Sequence, residues 1–274
     1  MVKNSQNGVV EKKLVQQFHE EGFMIARGLL TEQEIDHIKN TVMDMHAGGP
    51  IKGCYKPAPK EKAGNDPLLL YPRMMHPHKV NHTLKSYMLH PNIKGVLAEL
   101  FEEEPIAAQS MFYFKPPGAR GQALHQDNFY LKVEPGTCIA AWVAIDDADE
   151  ENGGLVVVPK TNDLDILCPH KANIKASFTS LEVDVPEGKS IAPCNMKAGD
   201  VLFFNGSVIH GSYPNQTKDR FRRALICHYV AESTSRIGKG YAPLYRFDGS
   251  TVDMEANGKG LPCGTDWEYE FDIH

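Results

Sequence analysis

The chain has 274 residues, of which 42% are hydrophobic and 23% are charged, and its formal net charge is −6. This length fits one large domain, and no stretch approaches the roughly 18 consecutive apolar residues that a membrane helix requires. The negative charge disfavours nucleic acid as a partner, because phosphate binding needs a concentrated basic face. We therefore expect an ordinary globular protein that neither spans a membrane nor binds nucleic acid.

The termini and the cysteines bear on the cellular compartment. Residues 1–10 are mostly polar and lack the apolar core of a secretory signal. The six cysteines include no C-x-x-C pair, which predicts free thiols in a reducing compartment. Residues 271–274 do not form a peroxisomal address of the Ser-Lys-Leu type. Together these features predict a cytoplasmic protein.

The N-terminal part of the chain predicts helices. Apolar residues at helical spacing indicate a helix over residues 10–21. Thr31 and Glu34 match a capping box, in which each side chain satisfies a free backbone N–H of the other, so a second helix is expected there. A further helix is expected over 93–103. Residues 50–72 are rich in Pro, Lys and Gly and predict a long loop of the kind that often serves as a lid or binding segment.

From residue 106 onward, short apolar runs alternate with Gly, Pro, Asn and Asp. The predicted strands lie within residues 107–115, 123–133, 138–145, 155–158, 201–205 and 221–230. Many short strands separated by turns are typical of a sandwich or jelly roll. We therefore expect one mainly β domain with flanking helices: a helical part over about 10–105, a β core over about 106–231 and a C-terminal extension over 232–274.

Two segments supply candidate metal ligands, His125-Gln126-Asp127 and His210. Side chains alternate along a strand, so His125 and Asp127 share a face if the strand runs through both. Two imidazoles and one carboxylate are the ligand set of a non-haem Fe(II) oxygenase, and about three coordination positions stay open. The same residues have two alternative interpretations. His125 and Asp127 could be a solvated pair on a strand, or the three residues could bind zinc that activates water for hydrolysis.

A strand over 221–230 places Arg222 and His228 on one face. An inward-facing arginine requires an anion to justify its desolvation, and its planar fork matches a carboxylate. A metal triad followed by a carboxylate anchor is the requirement for binding 2-oxoglutarate. Arg220 and Arg223 are alternative anchors. For His228 we expect a hydrogen-bonded core histidine rather than a fourth ligand.

The motifs that carry a family resemblance are spread over residues 109–222. They are Gln109-Ser110-Met111, Phe114-Lys115-Pro116-Pro117-Gly118, His125-Gln126-Asp127, Ala141-Trp142-Val143-Ala144, Glu151-Asn152-Gly153-Gly154-Leu155 with Pro159, His210-Gly211-Ser212 and Phe221-Arg222. With them the chain resembles, over roughly residues 10–230, the phytanoyl-CoA dioxygenase family of Fe(II)- and 2-oxoglutarate-dependent oxygenases. The resemblance implies a double-stranded β-helix, which is a cupin-like jelly roll, with N-terminal helices packed on one sheet.

The resemblance also implies roles for individual residues. The implied iron ligands are His125, Asp127 and His210, and the implied contacts of 2-oxoglutarate are Arg222, Ser212, Trp142, Met111 and Arg73. Lys79 is a rival to Arg73, and core packing is the alternative role for Trp142 and Met111. Candidate substrate contacts are His76, His78, Gln109 and Phe129.

The expected reaction is hydroxylation of a C–H bond in a small molecule, with Fe(II) as cofactor, 2-oxoglutarate and O2 as cosubstrates, and succinate and CO2 as products. Related halogenases replace the carboxylate ligand with a small residue, so Asp127 predicts oxygen transfer. Desaturation, epoxidation or rearrangement at the same site is one alternative, and a metal-binding jelly-roll module without catalysis is another. We expect a monomer or homodimer. We also expect the substrate to be a small metabolite rather than a CoA ester, because the phosphates of CoA require a basic rim. With a net charge of −6, the chain offers only the small Lys-rich cluster in residues 56–79 for that purpose.

Overall fold

Two antiparallel β-sheets face each other in the protein, and helices cover the outer side of the larger one. The structure is a computed structural model, and it describes residues 11–258. Residues 1–10, the end of the C-terminal extension and Cys263 lie outside the described residues. The order of strands within these two sheets positions the candidate site, because it brings His125 beside His210.

The larger sheet has eight strands, and the smaller sheet has four. The larger sheet runs in the order β1 (Phe23–Ala26), β10 (Val201–Asn205), β5 (Ile139–Ala144), β12 (Ala224–Ala231), β3 (Pro105–Tyr113), β14 (Leu244–Tyr245) and β15 (Thr251–Val252), with β2 (Met74–Met75) also paired to β3. The smaller sheet runs in the order β4 (Gln122–His125), β11 (His210–Ser212), β6 (Leu155–Val157) and β9 (Ala192–Cys194). Two further pairs join β13 (Arg236–Gly238) to β16 (Glu255–Asn257) and β7 (His170–Lys171) to β8 (Leu181–Glu182).

Most helices come from the N-terminal part, as the sequence predicts. They are α1 (Lys12–Glu21), α2 (Glu32–Ala47), α3 (Lys60–Ala63), α4 (Pro67–Leu70), α5 (His82–Met88) and α6 (Pro91–Phe101), with α7 (Asn128–Leu131) inside the β core and a 3-10 turn over Pro77–Lys79. The capping box forms: Thr31 N–H donates to Glu34 Oε2 at 2.7 Å, and Glu34 N–H donates to Thr31 Oγ1 at 3.3 Å. The expected loop over 50–72 contains the two one-turn helices α3 and α4.

The alternation of side chains along the central strands separates two hydrophobic cores. In β5, Ile139 and Val143 pack against the helices, whereas Trp142 packs between the two sheets. In β12, Leu225 likewise faces the helices and Ile226 faces the smaller sheet. A double-stranded β-helix with helices on one sheet is therefore confirmed, and its inner core surrounds the candidate site.

Two strand predictions around site residues are wrong in their bounds. β4 ends at His125, and Asp127 adopts right-handed helical dihedrals (φ −63°, ψ −36°) at the start of α7. The carbonyl of Asp127 accepts the N–H groups of Tyr130 and Leu131, so the chain leaves the strand in a helical turn. β12 begins at Ala224, two residues after Arg222. Strand alternation therefore does not place Asp127 or Arg222.

The cysteines are free in four of the described cases and disulfide-bonded in one. Cys54, Cys138, Cys194 and Cys227 are buried free thiols, as predicted. Cys168 is disulfide-bonded, which the widely spaced sequence pattern did not predict. Among the described helices, none is both long and apolar enough to cross a bilayer.

Candidate active site

The candidate metal centre begins with two histidines on neighbouring strands. His125 at the end of β4 is directly opposite His210 at the start of β11, and the centroids of their rings are 4.2 Å apart. The Nδ1 of His125 lies 2.9 Å from the carbonyl oxygen of Ala123, and the Nδ1 of His210 lies 2.9 Å from that of Val208. A carbonyl only accepts hydrogen bonds, so each Nδ1 carries the proton and each Nε2 presents an unprotonated lone pair.

Asp127 completes the cluster. Its Oδ1 lies 3.6 Å from the Nε2 of His125 and 3.6 Å from the Nε2 of His210. One ligand atom from each of the three residues falls within 4.8 Å of the others, so the cluster could hold a metal ion. Two imidazole nitrogens and one carboxylate oxygen suit iron and leave further coordination positions open. The residues present therefore fit the iron that the sequence predicts.

The electrostatics keep the cluster ready to bind a cation at neutral pH. Burial, together with His125, lowers the pKa of His210 to about 4, so its ring is neutral. Burial alone would raise the pKa of Asp127, but His210, His228 and hydrogen bonds from histidine rings hold it well below its usual value. A neutral imidazole and an ionised carboxylate are the protonation states that metal binding requires.

The cluster lies at one side of a cleft between the two sheets. The cleft has an empty volume of about 370 Å³, which includes solvent at its mouth. It is lined by Met111, Tyr113, Gln122, His125, Asp127, Trp142, Leu155, Phe204, His210, Ser212, Arg222, Ile226 and His228. Seven residues predicted from the sequence, namely the three of the cluster with Arg222, Ser212, Trp142 and Met111, are thus brought to one cleft.

Arg222 provides a buried cation in this cleft. Its side chain is 2% exposed, and its Nε donates to the carbonyl oxygen of Gly153 at 2.9 Å. Its guanidinium carbon lies 5.2 Å from the centroid of the Trp142 ring. Burial lowers the pKa of Arg222 to about 10, so it remains charged at neutral pH. No carboxylate of residues 11–258 forms an ion pair with it, which leaves the terminal nitrogens available to an anion in the cleft.

The two neighbouring arginines differ from Arg222 in this respect. Arg220 pairs with Asp149 at 2.7 Å and with Glu151 at 3.0 Å. Arg223 forms a two-point contact with Asp146, at 2.8 Å for each hydrogen bond. Both alternative anchors already have carboxylate partners, so the geometry favours Arg222.

The upstream basic residues are also distinguished by the structure. Arg73 lies against tyrosine hydroxyls, chiefly that of Tyr113, and these raise its pKa. Tyr113 itself lines the cleft. Lys79 is exposed and donates to the carbonyl oxygen of Ala242 at 3.3 Å. Arg73 is therefore the upstream cation nearer to the cleft.

The candidate substrate contacts lie mostly away from the cleft lining. His78 is buried, with its Nδ1 2.7 Å from the hydroxyl of Ser110, and the centroid of the His76 ring lies 5.7 Å from that of His78. Gln109 is buried opposite His228 in the pairing of β3 with β12. Phe129 lines a smaller pocket that shares His125 with the cleft.

Sequence reasoning missed the role of two polar residues around the site, Lys115 and Gln122, and predicted a third, His228, only as a hydrogen-bonded core histidine. Lys115, 2% exposed, donates from Nζ to Ser212 Oγ at 2.7 Å. Gln122 donates from Nε2 to His125 Nε2 at 3.1 Å. His228 lies with its Nε2 2.9 Å from Asp127 Oδ2. Lys115 lies inside the Phe114–Gly118 motif, but a lysine beside two prolines gives no sign that it is buried.

Fold and site together define the class of jelly-roll Fe(II)- and 2-oxoglutarate-dependent oxygenases. The family model for phytanoyl-CoA dioxygenase (PhyH) matches residues 18–224. The chain belongs to the phytanoyl-CoA dioxygenase family, as its motifs predicted.

Named relatives and solved structures agree with this placement. The chain is 30% identical to "Phytanoyl-CoA dioxygenase 1" of Oryza sativa subsp. japonica over 188 residues, covering 62% of this chain and 64% of the relative. It is 25% identical to "Phytanoyl-CoA dioxygenase domain-containing protein 1" of Danio rerio over 269 residues, covering 81% and 90%. The match thus spans less than two thirds of the rice relative's length and most of the zebrafish relative's.

The structural neighbours show the fold. The carbocyclase SnoK from nogalamycin biosynthesis superimposes with a TM-score of 0.70 at 19% identity, covering 93% of this chain and 98% of that one. EctD from S. alaskensis, solved with 2-oxoglutarate and 5-hydroxyectoine, gives a TM-score of 0.64 at 18% identity, covering 85% and 80%. The donor set fits Fe(II), the cofactor that the phytanoyl-CoA dioxygenase family uses with 2-oxoglutarate and O2.

Proposed function

We propose that this protein is a 2-oxoglutarate-dependent hydroxylase that inserts oxygen into a C–H bond of a small molecule. One observation carries the proposal: a His-Asp-His cluster and a buried arginine without a carboxylate partner among the described residues line the same cleft. A metal-binding module without catalysis, or a zinc hydrolase, would have no use for the second feature.

In this proposal His125, Asp127 and His210 hold the iron through Nε2, Oδ1 and Nε2. When bound there, iron supplies the activation of O2 that oxidises the substrate and decarboxylates 2-oxoglutarate to succinate. The carbonyls of Ala123 and Val208 fix the tautomer and direction of each imidazole. Asp127 contributes the carboxylate whose presence supports oxygen transfer over halogen transfer.

Other residues that line the same cleft bind the cosubstrate in this proposal. Arg222 receives the distal carboxylate in its planar fork, and the hydroxyl of Ser212 donates to the same group. Trp142 forms a wall against the guanidinium, Met111 contributes an apolar contact, and Arg73 lies behind Tyr113 and adds positive charge beside the cleft. Because these groups are buried, binding of 2-oxoglutarate displaces water from the cleft and leaves the substrate side as the remaining open approach to the metal.

The substrate side is proposed to involve Phe129 and the smaller pocket next to His125, which is mainly apolar. The residues His76, His78 and Gln109 do not line the cleft. In this proposal they support the residues that contact the substrate and do not contact it themselves. A small metabolite fits this enclosed site better than a large ester with many phosphates.

The test measures succinate formation by the Fe(II)-loaded full-length protein across a panel of small acids, amines and acyl esters. Arg222→Met and His125→Ala should abolish turnover, whereas Arg220→Met should retain it, because Arg220 is a half-exposed ion-pair partner of Asp149 and Glu151 that does not line the cleft. Equal turnover in Arg222→Met and Arg220→Met would contradict the assignment. The product mass then separates hydroxylation, which adds one oxygen, from desaturation, which removes two hydrogens.

A further inference from the structure

Lys115 is a buried lysine that the proposed reaction does not yet use. It lies two residues after the end of β3, is 2% exposed and has a φ of +37°, in the left-handed region that L residues rarely adopt. Its Nζ donates to Ser212 Oγ at 2.7 Å and to the carbonyl oxygen of Tyr213. No carboxylate in residues 11–258 forms an ion pair with it. Burial and the neighbouring guanidinium of Arg222 lower the pKa of Lys115 well below its usual value, so its ammonium form needs an anion in the cleft to stabilise it.

The hydrogen bonds at Ser212 show what this lysine does. A hydroxyl has one donor hydrogen and two acceptor positions. Both acceptor positions of Ser212 Oγ are occupied, by Lys115 Nζ at 2.7 Å and by the backbone N–H of Gln122 at 3.3 Å. The hydroxyl hydrogen must therefore be donated elsewhere, and Ser212 lines the cleft beside Arg222. Lys115 thus makes Ser212 a hydrogen-bond donor to whatever lies in the cleft.

Lys115 also supports Arg222 through its backbone. The carbonyl oxygen of Lys115 accepts the N–H of Arg222 at 3.1 Å. Gly153, whose carbonyl accepts the Nε of Arg222, packs on the lysine stem: a Cβ at Gly153 would lie 2.5 Å from Cδ of Lys115. Lys115 therefore contacts both Ser212 and Arg222, which face the cleft, and its ammonium adds positive charge behind them.

We infer that Lys115 is a positioning residue for the distal carboxylate of 2-oxoglutarate. By occupying Ser212 as an acceptor and adding charge beside Arg222, it makes the cleft select a 2-oxo dicarboxylic acid over a 2-oxo acid without the distal carboxylate. The inference rests on the proposed function, and it assigns the cosubstrate selectivity to a residue that does not line the cleft.

The experiment measures binding rather than turnover. Full-length protein is loaded with Mn(II) under anaerobic conditions, and calorimetry gives Kd for 2-oxoglutarate and for 2-oxopentanoate, which has the same chain length and no distal carboxylate. Lys115→Met should weaken 2-oxoglutarate binding by about tenfold or more, as expected for hydrogen bonds to a charged group, and leave 2-oxopentanoate binding unchanged. Lys175→Met, at an exposed lysine, controls for loss of a positive charge.

A double-mutant cycle with Ser212→Ala tests the route. If Lys115 acts through Ser212, Lys115→Met should cost about threefold or less in the Ser212→Ala background, because interacting residues are not additive. If Lys115→Met does not fold, Lys115→Gln gives the same comparison and should lose the same selectivity. A folded variant that keeps the wild-type ratio of the two Kd values overturns the inference, while failure of wild-type protein to bind 2-oxoglutarate overturns the proposed function instead.

Discussion

His228 donates a hydrogen bond from Nε2 to Asp127 Oδ2 at 2.9 Å, while the other oxygen of the same carboxylate, Oδ1, faces His125 and His210. His228 is 1% exposed and extends from the central strand β12. The carboxylate is thus held in one orientation by a rigid sheet, although Asp127 itself lies outside any strand. Through this contact the larger sheet orients Asp127, a candidate ligand that lies in the helical turn after strand β4 of the smaller sheet.

Replacing His228 with Ala should therefore weaken metal binding without removing a ligand. Loss of such a supporting hydrogen bond typically costs about 10- to 100-fold in metal affinity. The measurement is the Kd of Mn(II) for wild type and variant at neutral pH. His90→Ala, which removes a half-buried histidine paired with Glu34 on the helices, is the matched control and should leave the Kd unchanged. Equal affinities in His228→Ala and wild type would show that Asp127 needs no support.

The ligand types were predictable from the sequence, but the way they are positioned was not. His125, Asp127 and His210 were predicted from their chemistry, and alternation along β12 correctly placed His228 toward the cleft. The strand was wrongly extended through Asp127, because an Asp-Asn pair also favours starting a helical turn and single-sequence periodicity cannot decide between the two. Lys115 was missed because its burial depends on Ser212, about a hundred residues later in the chain, and such contacts leave no local pattern.

Metal binding itself should stabilise the folded chain. A ligand that binds only the native state adds about 2.7 kcal/mol at a free concentration of 100 times its Kd. Adding Mn(II) should therefore raise the melting temperature of wild type and of His90→Ala, but not that of Asp127→Ala, which loses the carboxylate of the cluster. Scanning calorimetry with and without the metal measures the shift. A shift in Asp127→Ala as large as in wild type would mean that the metal binds elsewhere.

Gly153 should tolerate no side chain. Its φ is +89°, and a Cβ there would lie 2.5 Å from Cδ of Lys115 and 2.8 Å from the carbonyl oxygen of Tyr213. Gly249 has a φ of +88° and no neighbour within 4 Å of such a Cβ. Gly249→Ala therefore measures the backbone cost alone, about 1–2 kcal/mol, and Gly153→Ala adds the steric cost, which we expect to bring the total above about 3 kcal/mol. Urea unfolding of both variants gives the comparison, and equal losses would contradict the close packing over Lys115.

The buried histidine His78 should make stability depend on pH. Burial, with smaller effects of His76, Lys79 and Lys85, lowers the pKa of His78 to about 3, whereas in the unfolded chain it is about 6.5. Between these values the unfolded state binds the extra proton, so the stabilisation is complete above pH of about 6.5 and is lost as the pH falls toward about 3. One such proton gives a slope of about 1.4 kcal/mol per pH unit.

His78→Gln should remove that slope between pH of about 4 and 6, as measured by urea unfolding at several pH values. Leu84→Ala, a fully buried truncation that does not titrate, should instead lower the whole curve in parallel; a parallel shift in His78→Gln would show that the ring is already free to take up a proton in the folded state.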